Sequence, residues 1–170
     1  MNMARGPRYS VPFRRRRQGK TDFRKRLRHL KAGMPRLVVR RTLTQTIVQV
    51  AEYTPEGDRI LAQAASLELA KIGWTASTST VPAAYLTGLL AAKRATGAGI
   101  EEAILDGGIG KPSTGGKVFS ALQGAIDGGL WVPHGESVLP SEERIRGEHL
   151  SEEVPPMFDK VKDKIMEGSS

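Results

Sequence analysis

The chain has 170 residues and no Cys, which excludes a disulfide framework, a thiolate metal site and a Cys nucleophile. Its length suits one domain, and with aromatics at only 5% the core must be built from Ala, Leu, Ile and Val. Charge is divided sharply: residues 1–41 carry 15 Lys+Arg against one acid, Asp22, whereas residues 42–170 carry 11 against 17.

Twelve of those first 15 cations are Arg, the side chain that forks onto phosphate and stacks flat on bases. Such an arm has little apolar surface to bury and repels itself, so it calls for a polyanion. Nucleic acid fits best, because the arm lacks the apolar face of a membrane-surface helix. Residues 1–20 read as irregular, broken by Gly6, Pro7, Pro12 and Gly19. Tyr9 and Phe13 stand between the arginines, and either stack on unpaired bases or dock the arm onto the body. Thr21-Asp22-Phe23-Arg24 reads as a helix start, with a capping hydroxyl and an acid in the first turn. The helix runs to about Lys31 and stops at Ala32-Gly33. Phe23, Leu27 and Leu30 form its apolar stripe, while Arg24, Arg26 and Arg28 point toward solvent or phosphate.

Three strands follow: Arg36–Arg41, Thr46–Tyr53 and Arg59–Ala65, with a hairpin turn at Leu43-Thr44-Gln45 and a second turn at 54–58. Residues 68–72 read as a helical turn stopped by Gly73. Residues 83–96 read as a helix with Pro82 in its first turn. Ala84, Gly88, Ala91 and Ala95 make a row of small residues on it, expected to lie close on a sheet. Lys93 and Arg94 suit the helix C-terminus, with RNA contact as the alternative. Residues 103–106 read as a short buried strand and Lys117–Asp127 as a helix stopped by Gly128-Gly129. The fold class is therefore α/β: a small mixed sheet in βββ-α-β-α order with helices packed on it. Three regions are expected: a basic arm at 1–34, a body at 35–133 and a C-terminal extension at 134–170. Short helices at 141–150 and 157–166 would lie in that extension, outside the core.

Chemistry is scarce. The loop from Gly110 to Lys117 follows a strand and opens a helix, as a P-loop does, but the Lys of that motif would fall on Gly116 and no Ser or Thr follows Lys117. The loop could still seat one backbone phosphate, or be a plain strand-to-helix turn. Asp106 ends a strand, but no second acid stands on the first strand to share a metal, and the His residues at 29, 134 and 149 have no ligand spacing. No catalytic residue, metal, cofactor or small-molecule substrate is expected. With no apolar run of about 18 residues and no secretory h-region, a soluble intracellular protein is expected.

The residues also carry a resemblance. Gly6-Pro7-Arg8-Tyr9, Pro12-Phe13-Arg14-Arg15-Arg16-Arg17, Thr21-Asp22-Phe23, Gly73-Trp74, Pro82-Ala83-Ala84-Tyr85-Leu86-Thr87-Gly88, Leu105-Asp106-Gly107-Gly108 and Gly124-Ala125-Ile126-Asp127-Gly128-Gly129-Leu130 stand in the same order as in one family. It is the 5S-rRNA-binding large-subunit ribosomal protein numbered eighteen (five in eukaryotes), which this chain resembles in its archaeal form over about residues 5–150. The resemblance implies a cytoplasmic, non-enzymatic protein that binds 5S rRNA and helps attach it to the large subunit at the central protuberance. Large-subunit rRNA and neighbouring ribosomal proteins would be further partners. By position it implies RNA contact at Arg5, Arg8, Tyr9, Phe13, Arg14, Arg15, Arg16, Arg17, Lys20, Thr21, Arg24, Arg26 and Arg28. Arg40, Arg41, Thr42 and Thr44 match a second contact at the hairpin. There the family often has Asn, Lys and an aromatic or His, so Leu43, Thr44 and Gln45 imply a weaker one. Lys111, Thr114 and Lys117 form a third candidate contact, to RNA or protein. A non-ribosomal RNA-binding regulator or chaperone is the alternative.

Overall fold

The computed structural model describes residues 6–168. The β-branched runs pair as expected. Strand β1 (Arg36–Arg41) lies antiparallel to β2 (Thr46–Thr54), and β2 lies antiparallel to β3 (Gly57–Ala65). Strand β4 (Ile104–Asp106) then adds parallel to β1, with Leu37 opposite Leu105, giving the order β3-β2-β1-β4. The period-2 alternation sends Leu37, Val39, Val48, Val50, Ala62 and Ala64 to one face, where all are buried.

That face is covered by α4 (Val81–Gly97) and α5 (Lys117–Asp127). Thr80 caps α4 by accepting from the Ala83 N–H at 3.4 Å, and Pro82 sits in its first turn. Nearly every residue from Val81 to Ala92 is buried, so α4 is a central helix, apolar on all sides. The small residue at its middle serves a different neighbour from the one expected. A Cβ on Gly88 would stand 2.0 Å from the Ala121 carbonyl oxygen of α5, and a Cβ on Gly124 would stand 2.0 Å from the Tyr85 carbonyl oxygen of α4. The two glycines let the helix backbones touch, and it is α5 rather than the sheet that meets Gly88. The buried hydroxyls are satisfied within this contact: Ser120 donates to the Val81 carbonyl at 2.8 Å and Thr87 to the Ala83 carbonyl at 2.6 Å.

A short 3₁₀ turn (Ser66–Glu68) and α3 (Leu69–Ile72) lead from β3 toward α4, and Gly73, at φ 111°, ends α3 in the left-handed region. The C-terminal segment corrects the expectation that it lies outside the core. Helix α6 (Glu142–Arg146) contributes Ile145, and α7 (Val154–Met166) contributes Val154, Phe158, Val161 and Ile165 to the same cluster that holds α4 and the sheet. Those α7 positions fall at i, i+4, i+7 and i+11, one helical stripe. The Phe158 ring lies 5.3 Å from that of Tyr85.

The arm holds more structure than expected. One helical turn, α1 (Arg14–Arg17), stands where irregular chain was predicted, and α2 (Phe23–Lys31) follows it. The cap of α2 is Asp22, which accepts from the Arg24 and Lys25 N–H groups at 3.0 and 3.1 Å. The Thr21 hydroxyl instead accepts from Arg15 Nε at 2.8 Å, tying α1 to the start of α2. The expected apolar stripe of α2 is not buried: no residue of the helix is, and Leu27 is 55% exposed.

Candidate nucleic-acid interface

The second face of the sheet presents Arg36, Val38 and Arg40 from β1, Gln49 and Ala51 from β2, and Ile60 from β3. Helix α2 lies across it, leaving a polar groove of about 310 Å³ that Arg15, Lys20, Thr21, Lys25 and His29 also line. Ionic contacts hold the helix there. Arg26 donates both terminal nitrogens to Asp58 at the start of β3, at 2.8 and 3.0 Å. Its guanidinium carbon lies 5.9 Å from the centre of the Tyr53 ring. Next to it in sequence, Lys25 Nζ donates to the Gly108 carbonyl beyond β4 at 2.8 Å. Beneath them Arg36, only 4% exposed, brings Nη2 to 2.7 Å from Asp58 Oδ2 and Nη1 to 3.7 Å from Asp106. Arg40 joins the same carboxylate at 3.1 Å.

The electrostatics follow from these contacts. The Arg26 hydrogen bond, with Arg36 beside it, holds the Asp58 carboxyl down to about 2, while partial burial opposes the shift. Burial would raise Asp106, but the Gly108 N–H and the Arg40 guanidinium outweigh it and leave its carboxyl below the usual range. Partial burial lowers His29. Two carboxylates thus sit inside a cationic surface, each neutralised by arginine. Asp106, the one acid the sequence placed at a strand end, has its oxygens engaged by Arg40, Arg36 and the Gly108 N–H.

Around the groove the arm cations are exposed. Arg14, Arg16, Arg17, Arg24 and Arg28 form no ion pair among the described residues. Such a row of unneutralised guanidinium groups beside a polar groove is built for a polyanion.

Comparison with known proteins agrees. The family model of ribosomal large subunit proteins 60S L5 and 50S L18 matches residues 7–98 and 96–135. The chain is similar to the large ribosomal subunit protein uL18 of Methanoculleus marisnigri, 55% identical over 153 residues (90% of this chain and 87% of the relative). It is 45% identical to uL18 of Haloarcula marismortui over 183 residues, covering 98% of both. The chain belongs to the uL18 family. It is accordingly a large-subunit ribosomal protein of the cytoplasm, RNA-binding and structural rather than enzymatic.

Not every residue singled out in the sequence occupies the same place in this uL18 chain. Arg15, Lys20, Thr21, Arg26 and Arg40 line the groove. Arg8 and Tyr9 are exposed on the arm, and Phe13, 74% exposed, touches Phe23 with ring centroids 5.4 Å apart. Arg5 lies outside the described residues. Arg41 is exposed at the end of β1. The Thr42 hydroxyl is used within the hairpin turn, accepting from the Gln45 N–H at 3.0 Å, and the Thr44 carbonyl accepts from Thr78 at 2.7 Å. Leu43 projects beyond them, 96% exposed. Lys111 and Thr114 are exposed in the loop before α5, and Lys117 is its first residue. None of the three lines the groove, although Gly108 and Ile109 of the same connection do. Arg94 is held by Glu68 at 2.8 Å and by the Gln63 carbonyl at 2.7 Å, so its contacts lie with β3 and the turn after it.

The sequence reading missed Lys25, His29, Arg36 and Asp58 as groove residues. One signal was present for Arg36: an arginine that leads straight into the apolar run Leu37-Val38-Val39 must find a carboxylate once buried.

Proposed function

We propose that this protein binds 5S rRNA and helps attach it to the large subunit at the central protuberance, with contacts to large-subunit rRNA and neighbouring ribosomal proteins. The observation that carries the reading is the set of exposed arm arginines without internal ion pairs, set against residues 42–170, whose net charge is opposite. On this reading the body supplies a fixed platform and the arm, residues 1–34, supplies the phosphate contacts. Arg8, Arg14, Arg16, Arg17, Arg24 and Arg28 hold the RNA backbone, while Tyr9 and the exposed part of Phe13 meet unpaired bases. Arg41 and the hairpin turn add a lesser contact, because Thr42 is already spent on the turn. Lys111, Thr114 and Lys117 form a separate, weaker one.

The test is a titration of the full chain and of a chain lacking residues 1–34 against 5S rRNA, a tRNA of similar size and duplex DNA, each at several salt concentrations. If about eight to ten cations meet phosphates, the log–log salt slope is about −6 to −9. Preference of the full chain for 5S rRNA that persists at high salt, with tight binding lost in the truncated chain, is the expected result. Equal affinities that collapse together with salt would overturn it.

A further inference from the structure

Helix α2 carries arm cations on a segment with no buried residue. Phe23 and Leu30 are only half-buried, so polar contacts carry much of its placement, and the ionic ones converge on one carboxylate. Asp58 receives both nitrogens of the Arg26 fork at 2.8 and 3.0 Å, while the buried Arg36 stands at 2.7 Å from the other side. Arg36 cannot simply turn to water: it is 4% exposed, its Nε reaches no hydrogen-bond partner among the described residues, and its Nη2 meets Asp58 as an ion pair without hydrogen-bond geometry. Its position is fixed by the sheet and by Asp106 at 3.7 Å. A helix residue, a strand acid and a buried strand arginine thus form a line from the arm into the sheet.

Resting on the 5S rRNA reading above, we propose that Asp58 is a positioning residue for RNA binding: an acid inside a cationic interface whose loss weakens the grip on RNA. The argument turns on two opposed effects. A carboxylate near phosphates repels them, so removing it should tighten binding through simple charge. A carboxylate that holds α2 in place spares the complex the entropy of ordering that helix, so removing it should loosen binding. At Asp58 both effects operate, since losing the carboxylate leaves Arg26 and Arg36 one unit more positive; the second outweighs the first, because the same carboxylate receives both nitrogens of the fork that locates α2. Arg26 belongs to the same device: its fork is occupied by Asp58, so it orients Arg24 and Arg28 rather than gripping phosphate itself.

Three full-length variants test this by affinity for 5S rRNA across a salt series, with circular dichroism confirming that each is folded. Asp58→Asn is expected to weaken binding about tenfold, close to 1.4 kcal/mol. Glu56→Gln removes an equal charge from the exposed turn two residues earlier, and is expected to leave affinity unchanged or slightly higher. Arg26→Gln is expected to match Asp58→Asn. It should leave the salt slope unaltered, since no phosphate contact is lost, and the double variant should bind no worse than either single one. If Asp58→Asn does not fold, Asp58→Glu takes its place; its extra methylene displaces α2 at constant charge, and weaker binding is again expected. Asp58→Asn binding as tightly as Glu56→Gln, or Arg26→Gln lowering the salt slope by about one, would overturn the proposal. Failure of the parent reading looks different: the wild type would then show no preference for 5S rRNA over tRNA, whereas the order of the variants is read on whichever RNA binds.

Discussion

The two faces of the sheet hold their helices by different means. On one, α4 and α5 meet the strands and each other through apolar side chains and, at Gly88 and Gly124, through backbone contact. On the other, α2 is held through Lys25, Arg26 and the carboxylates beneath. The apolar face is close-packed and insensitive to salt or pH. The polar face is screened by salt and titrates at low pH. The division lets the polar face respond to salt and pH while the apolar face does not. The same ionic character that weakens α2 as part of a core leaves the guanidinium groups of Arg24 and Arg28 exposed beside it.

The comparison can be broken first at the helix crossing. Gly124→Ala would improve helix propensity by about 1 kcal/mol in open space. Here the added methyl meets a backbone oxygen that cannot swing away, and a net loss of about 3 kcal/mol is expected in chemical denaturation. A stabilised variant would mean that the two helices have room to part. Phe158→Ala is of the same size: the ring is fully buried against Tyr85, and a loss of about 3 kcal/mol is expected. A loss below about 1 kcal/mol would return α7 to the periphery.

The polar face offers a pH test with a definite sign. The folded carboxyl of Asp58 is depressed to about 2, below its ordinary 3.8, so its contribution is complete above pH 4 and fades as pH falls through 2. Amide resonances of Lys25 and Arg26 should shift over that range while those of Gly88 and Gly124 stay fixed; movement of both sets together would deny the two faces their independence. The smallest effect is expected at Leu27. At 55% exposure, Leu27→Ala should change stability by no more than about 0.5 kcal/mol. A larger loss would show an apolar anchor beneath α2 after all.

What could be read from the sequence divides along the same line. Strands β1 to β3, α4 and α5 follow from β-branched runs, small-residue helices and glycine stops, all local signals. Helix α7 is harder to read because Lys160, Lys162, Asp163 and Lys164 fill the sequence between its apolar positions; the spacing of Val154, Phe158, Val161 and Ile165 is the signal that places it in the core. The role of Gly88 is not legible in the sequence, because nothing local pairs it with a glycine 36 residues later in α5. The arm was recognised by charge alone. Its anchor was not, since the Arg26–Asp58 contact joins residues 32 apart and only the fold brings them together. Thr21 and Asp22 show how fine the limit is. Both were placed at the helix start, yet the carboxylate took the cap and the hydroxyl turned to Arg15.

The contact between Lys25 and Gly108 spans 83 residues, and this sets an order of events during synthesis. The arm leaves the exit tunnel first, but one of its two anchors is the last-made strand of the sheet and the loop beyond it. At about 5 to 20 residues per second, the basic segment waits roughly 4 to 17 s for that partner. For the later part of that interval, once residue 58 has been made, Asp58 is the one anchor the arm can reach. Slower translation between residues 60 and 108 would therefore lengthen the time the arm spends with only half of its anchorage made.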